Sequence, residues 1–139
     1  LSAEGASTAP AGRILLVDDE VSSTDVLALI LAGEGYEVTM AANGRQALDR
    51  VDEAAPDLLV ADFMMPGLNG AQLVHELRAM PRWRELKVLM MSGAPEAALR
   101  PYGVAYQGFI RKPFQLEQFL QLVQRIIASP GQAGRSTAD

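Results

Sequence analysis

Two short runs in this chain, Ile14-Leu15-Leu16-Val17 and Leu58-Leu59-Val60-Ala61, contain no polar residue, and each stops on an aspartate. A strand with one face in water alternates apolar with polar residues, whereas a strand covered on both faces has no reason to. Such runs fit strands of a parallel sheet, and their alternation with helical stretches implies helices over both faces, an α/β doubly wound architecture. Three more strands are expected at Glu37–Ala41, Lys87–Met91 and Phe109–Arg111.

The stretches between these strands carry helical spacing. Val26, Leu27, Ile30 and Leu31 recur at the period of a helix that Ser22 or Ser23 could cap and that Gly33 and Gly35 would end. A second helix is expected from about Arg45 to Ala54, stopped before Pro56. Asn69 caps a third over Leu73, Val74 and Leu77, and the last, about Leu116–Ala128, turns Phe119, Leu120, Val123, Ile126 and Ile127 inward. A weak helix at Glu96–Arg100 is cut by Pro101, because proline inside a helix costs roughly 3 kcal/mol. Residues 1–12 read as a flexible leader or linker, 13–128 as the folded domain and 129–139 as a disordered tail.

Composition narrows the function. With 139 residues the chain is long enough for one packed core, and without cysteine it forms neither disulfides nor thiolate metal sites. Its net charge of −5, with no run of Lys and Arg longer than two, argues against a nucleic-acid surface. No apolar stretch approaches the roughly 20 residues that span a bilayer, and the opening LSAEGASTAPAG does not have the form of a signal peptide. A cytoplasmic location is the expectation.

In a doubly wound sheet, ligands bind at the carboxyl ends of the strands. Asp18 and Asp19, Asp62, Ser92 and Lys112 close the first, third, fourth and fifth expected strands, so they should meet on one edge. Three crowded carboxylates repel, and a divalent cation removes that penalty. Mg²⁺ suits the set, because it prefers oxygen donors and is commonly held by one or two carboxylates together with a phosphate. A carboxylate can also serve as the nucleophile that becomes an aspartyl phosphate, with Lys112 and Ser92 as donors to the phosphoryl oxygens.

Four blocks, ILLVDDE at Ile14–Glu20, LLVADFMMPGLNG at Leu58–Gly70, LMMSG at Leu89–Gly93 and FIRKPF at Phe109–Phe114, resemble the signature blocks of response-regulator receiver domains, in that family's order and nearly its spacing. The resemblance covers roughly residues 13–128. It implies a flavodoxin-like fold of strand order 2-1-3-4-5 and a signalling domain of two-component systems that assists its own phosphorylation rather than a dedicated enzyme. It implies Asp62 as phosphoacceptor. Mg²⁺ would be held by Asp19 directly, by Asp18 largely through water, by Asp62 and by the backbone carbonyl of Met64. Ser92 and Lys112 would bind the new phosphoryl group, with Ser92 and Phe109 acting as the switch pair. The donor would be a phosphohistidine on a histidine kinase or histidine phosphotransfer protein.

The resemblance also has departures. Ser92 to Lys112 is short by family standards and contains Pro101, so the fourth helix should be short or irregular, which leaves the output partner, or homodimer formation, open. Met64 and Ala94 are apolar where many relatives are polar, and this suggests a long-lived phosphoryl group. A haloacid-dehalogenase-type hydrolase would want an aspartate at position 64, and a flavin carrier a phosphate-cradling loop where Asp18-Asp19-Glu20 stands. The rival reading that stays open is a phosphorylation-independent interaction module. His75 is expected on a helix surface, Met90 and Met91 in the core, and Trp83 in a surface loop. The start on Leu1 and the leader fit either a stand-alone regulator or a piece of a larger protein such as a hybrid sensor kinase.

Overall fold

The computed structural model describes residues 9–130. The tail expected after residue 130 and the leader before residue 9 lie outside the described residues. The strands are β1 (Gly12–Val17), β2 (Tyr36–Ala41), β3 (Leu58–Asp62), β4 (Lys87–Ser92) and β5 (Gly108–Arg111). They form one parallel sheet in the order β2-β1-β3-β4-β5. Between and after them run α1 (Val21–Gly33), α2 (Gly44–Ala54), α3 (Gly70–Arg78) and α4 (Leu116–Ala128). The connection from β4 to β5 is a 3-10 helix, Glu96–Tyr102, and a short 3-10 turn, Pro81–Trp83, precedes β4.

The period of two along each strand sorts the core into two layers. Ile14, Leu16, Leu58, Val60, Leu89 and Met91 face α1 and α4, where Leu27, Leu31, Phe119, Val123 and Ile126 are buried against them. Leu15, Val17, Leu59, Ala61, Val88 and Met90 face the other way, under Ala47, Val51, Leu73 and Leu77 of α2 and α3. Burying a Leu or Phe side chain contributes about 1.5–3 kcal/mol, so the unbroken apolar runs are the stabilising elements of both layers. Met90 and Met91 lie one in each layer, as core residues.

The helix ends follow local chemistry, with two surprises. Asn69 caps α3 as expected: its Oδ1 accepts from Gln72 N at 2.8 Å, while the Gln72 side chain accepts from Asn69 N at 3.0 Å. For α1, neither Ser22 nor Ser23 is the cap. The helix begins earlier, after Glu20, whose amide is bound by the Asp18 carboxylate at 3.0 Å. At its far end, Gly33 stays helical and Gly35, at φ +99°, makes the left-handed turn. Val26 points outward, and its place in the inward stripe is taken by the buried Thr24.

The fourth connection is short and irregular, as the proline implies. Pro101 lies inside the 3-10 helix, which ends at Gly103 in the left-handed region at φ +63°. Leu99 is its anchor in the core. Trp83 departs from expectation. It is buried rather than on the surface, its Nε1 donates to Asp52 at 2.7 Å, and the Arg82 guanidinium lies 4.5 Å from the ring centre. In α4, Leu120 and Ile127 are only half-buried, while Phe119, Val123 and Ile126 fill the core.

Candidate functional site

The expected convergence occurs at the carboxyl edge of the sheet. Strand β3 carries Asp62 to its end, and the ladder runs one residue further through Phe63 N to Met91 O at 2.7 Å, which fixes the direction in which Asp62 leaves the sheet. Gly70 then brings α3 back against this end. Its amide donates to Phe63 O at 2.9 Å, and a Cβ there would lie 2.6 Å from the Asp62 carbonyl oxygen and 2.8 Å from Met90 Sδ. Only glycine permits so close an approach.

Lys112 reaches the same point from the end of β5, where its amide bonds Ser92 O at 2.7 Å. Its ammonium stands 3.1 Å from Asp18 Oδ2 and 3.1 Å from Asp62 Oδ2. The second Asp62 oxygen accepts from Met64 N at 3.2 Å. Burial raises the Asp62 pKa, and the nearby Asp18 adds to that, while Lys112 and the Met64 amide pull it back. For Lys112, burial alone would lower the pKa, but the bond to Asp18 and the charge of Asp62 outweigh it and hold the ammonium charged.

Asp18, Asp19 and Asp62 offer oxygens that all lie within 4.8 Å of one another. Asp18 and Asp62 are buried, and Asp19 is exposed. The Asp18 oxygens are engaged by Glu20 N and Lys112, and Asp19 is turned to solvent. Three hard oxygen donors fit Mg²⁺. Ser92 is fully buried and accepts from Ala94 N at 2.9 Å. Met64 is 57 % exposed beside Asp62. Phe109 is half-buried and packs on the α2/α3 layer, one strand residue from the buried Ile110. His75 is exposed on α3, as expected.

Two residues of this edge escaped the sequence. The Thr24 hydroxyl donates to Glu20 O at 2.9 Å and so braces the acidic turn; a lone threonine in an apolar stripe was its only signal. Tyr102 packs edge-on against Phe63, with ring centres 5.5 Å apart. Nothing in the sequence relates these two residues. A groove of about 700 Å³ opens beside Lys112, lined by Ser22, Val26 and Leu27 of α1 and by Pro113 and Phe114.

Known proteins resemble the chain along nearly all of this fold. The model of the response regulator receiver domain matches residues 14–124. The phosphate regulon transcriptional regulatory protein PhoB of Rhizobium meliloti is 32 % identical over 117 residues, which are 83 % of this chain and 52 % of PhoB. The chain thus spans about half the length of the curated relatives it matches. Among solved structures, the chemotaxis protein CheY4 of Vibrio cholerae superposes with a TM-score of 0.76 at 31 % identity, covering 81 % of this chain and 96 % of CheY4. The receiver domain of the sensor histidine kinase PA1611 of Pseudomonas aeruginosa, with a magnesium ion coordinated in its active site cleft, gives 0.77 at 28 % identity, covering 86 % of this chain and 100 % of that domain.

Proposed function

The chain belongs to the response regulator receiver domain family, and from that premise we propose that it accepts a phosphoryl group on Asp62 and changes its protein contacts in response. Receiver domains are signalling modules of two-component systems. The observation that carries the reading is the state of Asp62: a buried carboxylate at a strand end, oriented by Lys112 on one oxygen and Met64 N on the other. An Asp62 oxygen attacks phosphorus, the phosphorus–nitrogen bond of a phosphohistidine breaks, and the imidazole leaves with the bonding electron pair. Lys112 and the Ser92 hydroxyl stabilise the charge on the transferred group.

Asp19, Asp62 and the Met64 carbonyl, with Asp18 through water, would hold Mg²⁺, and the ion would supply charge neutralisation at the phosphoryl oxygens. The receiver domain is taken to run from residue 13 to 128; the first strand begins at Gly12 and the last helix ends at Ala128. The donor would be a histidine kinase or a histidine phosphotransfer protein. Its docking surface is α1, where Val21, Val26 and Leu29 are 59, 56 and 75 % exposed and Asp25 is the helix's only charge. Such an apolar helix face beside the groove at Lys112 suits an amphipathic helix. Among the described residues no helix is long and apolar enough to cross a membrane.

Acetyl phosphate and beryllofluoride, each with and without Mg²⁺, test the proposal on wild type and Asp62→Asn. Intact mass should show one Mg²⁺-dependent phosphoryl addition, and NMR widespread shifts, both absent in the variant. No modification and no Mg²⁺ response would leave a phosphorylation-independent interaction module as the reading.

A further inference from the structure

The 3-10 segment between β4 and β5 is tied to the neighbourhood of Asp62 at both of its ends. Three residues separate its start from Ser92, and the turn between them is held by Ala94 N on Ser92 Oγ at 2.9 Å. Its last residue, Tyr102, reaches the loop that begins immediately after Asp62. There the Tyr102 ring meets Phe63 edge-on, with planes inclined by 78°. The Tyr102 hydroxyl also accepts from Asn69 Nδ2 at 3.1 Å. Phe63 opens that loop and Asn69 closes it, so one side chain holds both ends.

The contact is more than packing on a convenient surface. The Asn69 amide is committed at both its atoms, Oδ1 to the first turn of α3 and Nδ2 to Tyr102. A shift of the loop that keeps the helix cap therefore either carries the tyrosine with it or breaks its hydrogen bond. The segment is also built to yield. It has 3-10 geometry with a proline inside, Leu99 is its buried anchor, and its Glu96 is held to Tyr106 by an exposed hydrogen bond of 2.7 Å. Elements with few buried contacts and exposed hydrogen bonds are the ones that open first.

We propose that Tyr102 is a positioning residue that transmits the state of the loop after Asp62 to the Glu96–Tyr102 segment, in parallel with the route through Ser92. The inference rests on Asp62 receiving the phosphoryl group. A dianion there draws Lys112, Ser92 and nearby amides towards it. Phe63, one residue away, moves with the loop, and Tyr102 carries that movement to the far end of the segment. The surface read by a partner is then set from two ends at once.

NMR of the full chain with Mg²⁺ and beryllofluoride tests this on wild type, Tyr102→Phe, Tyr102→Ala and Asn69→Ser. Wild type should show amide shifts at Lys112, across 96–100 and at Tyr102. In Tyr102→Ala the shifts at 97–100 should fall by more than half while those at Lys112 persist. Tyr102→Phe, which keeps the ring, and Asn69→Ser, which keeps a capping oxygen, should each give a partial loss. If the alanine variant unfolds on heating well below wild type, these two decide. Equal shifts at 97–100 in wild type and the variants would overturn the proposal alone. No shifts at Lys112 in wild type would overturn the phosphorylation reading and this inference with it.

Discussion

The surroundings of Asp62 pull its ionisation in opposite directions. Burial raises its pKa and Asp18 adds to the rise, against the pull of Lys112. A carboxyl whose folded pKa exceeds its unfolded one contributes stability below the unfolded value, about 3.9, and loses it as pH rises through the folded one. Without Mg²⁺, Asp62→Asn should therefore melt at a higher temperature than wild type at pH 7, with the gap closing below pH ~3.9. Equal melting curves at pH 7 would contradict that balance. Next to Asp62, Met64 exposes its thioether and Ala94 is half-buried, so neither can order a water for attack on an aspartyl phosphate. The phosphoryl group should consequently persist, and Met64→Asn should shorten its lifetime by roughly threefold or more, about 0.7 kcal/mol of barrier. Phosphate release after acetyl phosphate is removed measures both.

At the scale of elements, the approach of α3 to β3 sets the site. A Cβ at Gly70 would meet the Asp62 carbonyl oxygen at 2.6 Å and Phe63 Cα at 2.9 Å, and neither backbone atom can step aside. Gly70→Ala should cost about 1–3 kcal/mol in urea denaturation and weaken the Mg²⁺ response. In the β4–β5 connection, Pro101 cannot donate a backbone hydrogen bond. Pro101→Ala should raise helicity across 96–102, read from carbon chemical shifts; unchanged shifts would assign the 3-10 form to its tertiary contacts instead. Much of this was legible in the chain. Strands buried on both faces leave unbroken apolar runs, and each run stopped on the polar residue that the structure brings to the edge. The Asn69 cap and the effect of Pro101 were equally local signals. What escaped was set across the fold. Trp83 is drawn inward by Asp52, 31 positions away, although its arginine neighbours suggest solvent. The start of α1 is fixed by the Asp18 carboxylate on Glu20 N rather than by a serine. Tyr102 meets Asn69, 33 positions away, only through the tertiary fold.

For the molecule as a whole, the sheet divides two sets of contacts. Helices α1 and α4 cover one face, and α2, α3 and the 3-10 segment cover the other. The exposed α1 residue Leu29 is far from any role in the chemistry, so Leu29→Arg should slow transfer from a phosphohistidine donor at least roughly tenfold, about 1.4 kcal/mol, while modification by acetyl phosphate stays as in wild type. Loss of both would mean that the change acts on the fold. The five-stranded wall thus stands between α1, the face proposed for the phosphoryl donor, and the 3-10 segment, the face proposed for output. If both proposed faces are right, a donor and a recipient occupy opposite sides of the sheet and do not compete for one surface. Each face is also free to change its partner over evolutionary time without renegotiating the terms of the other.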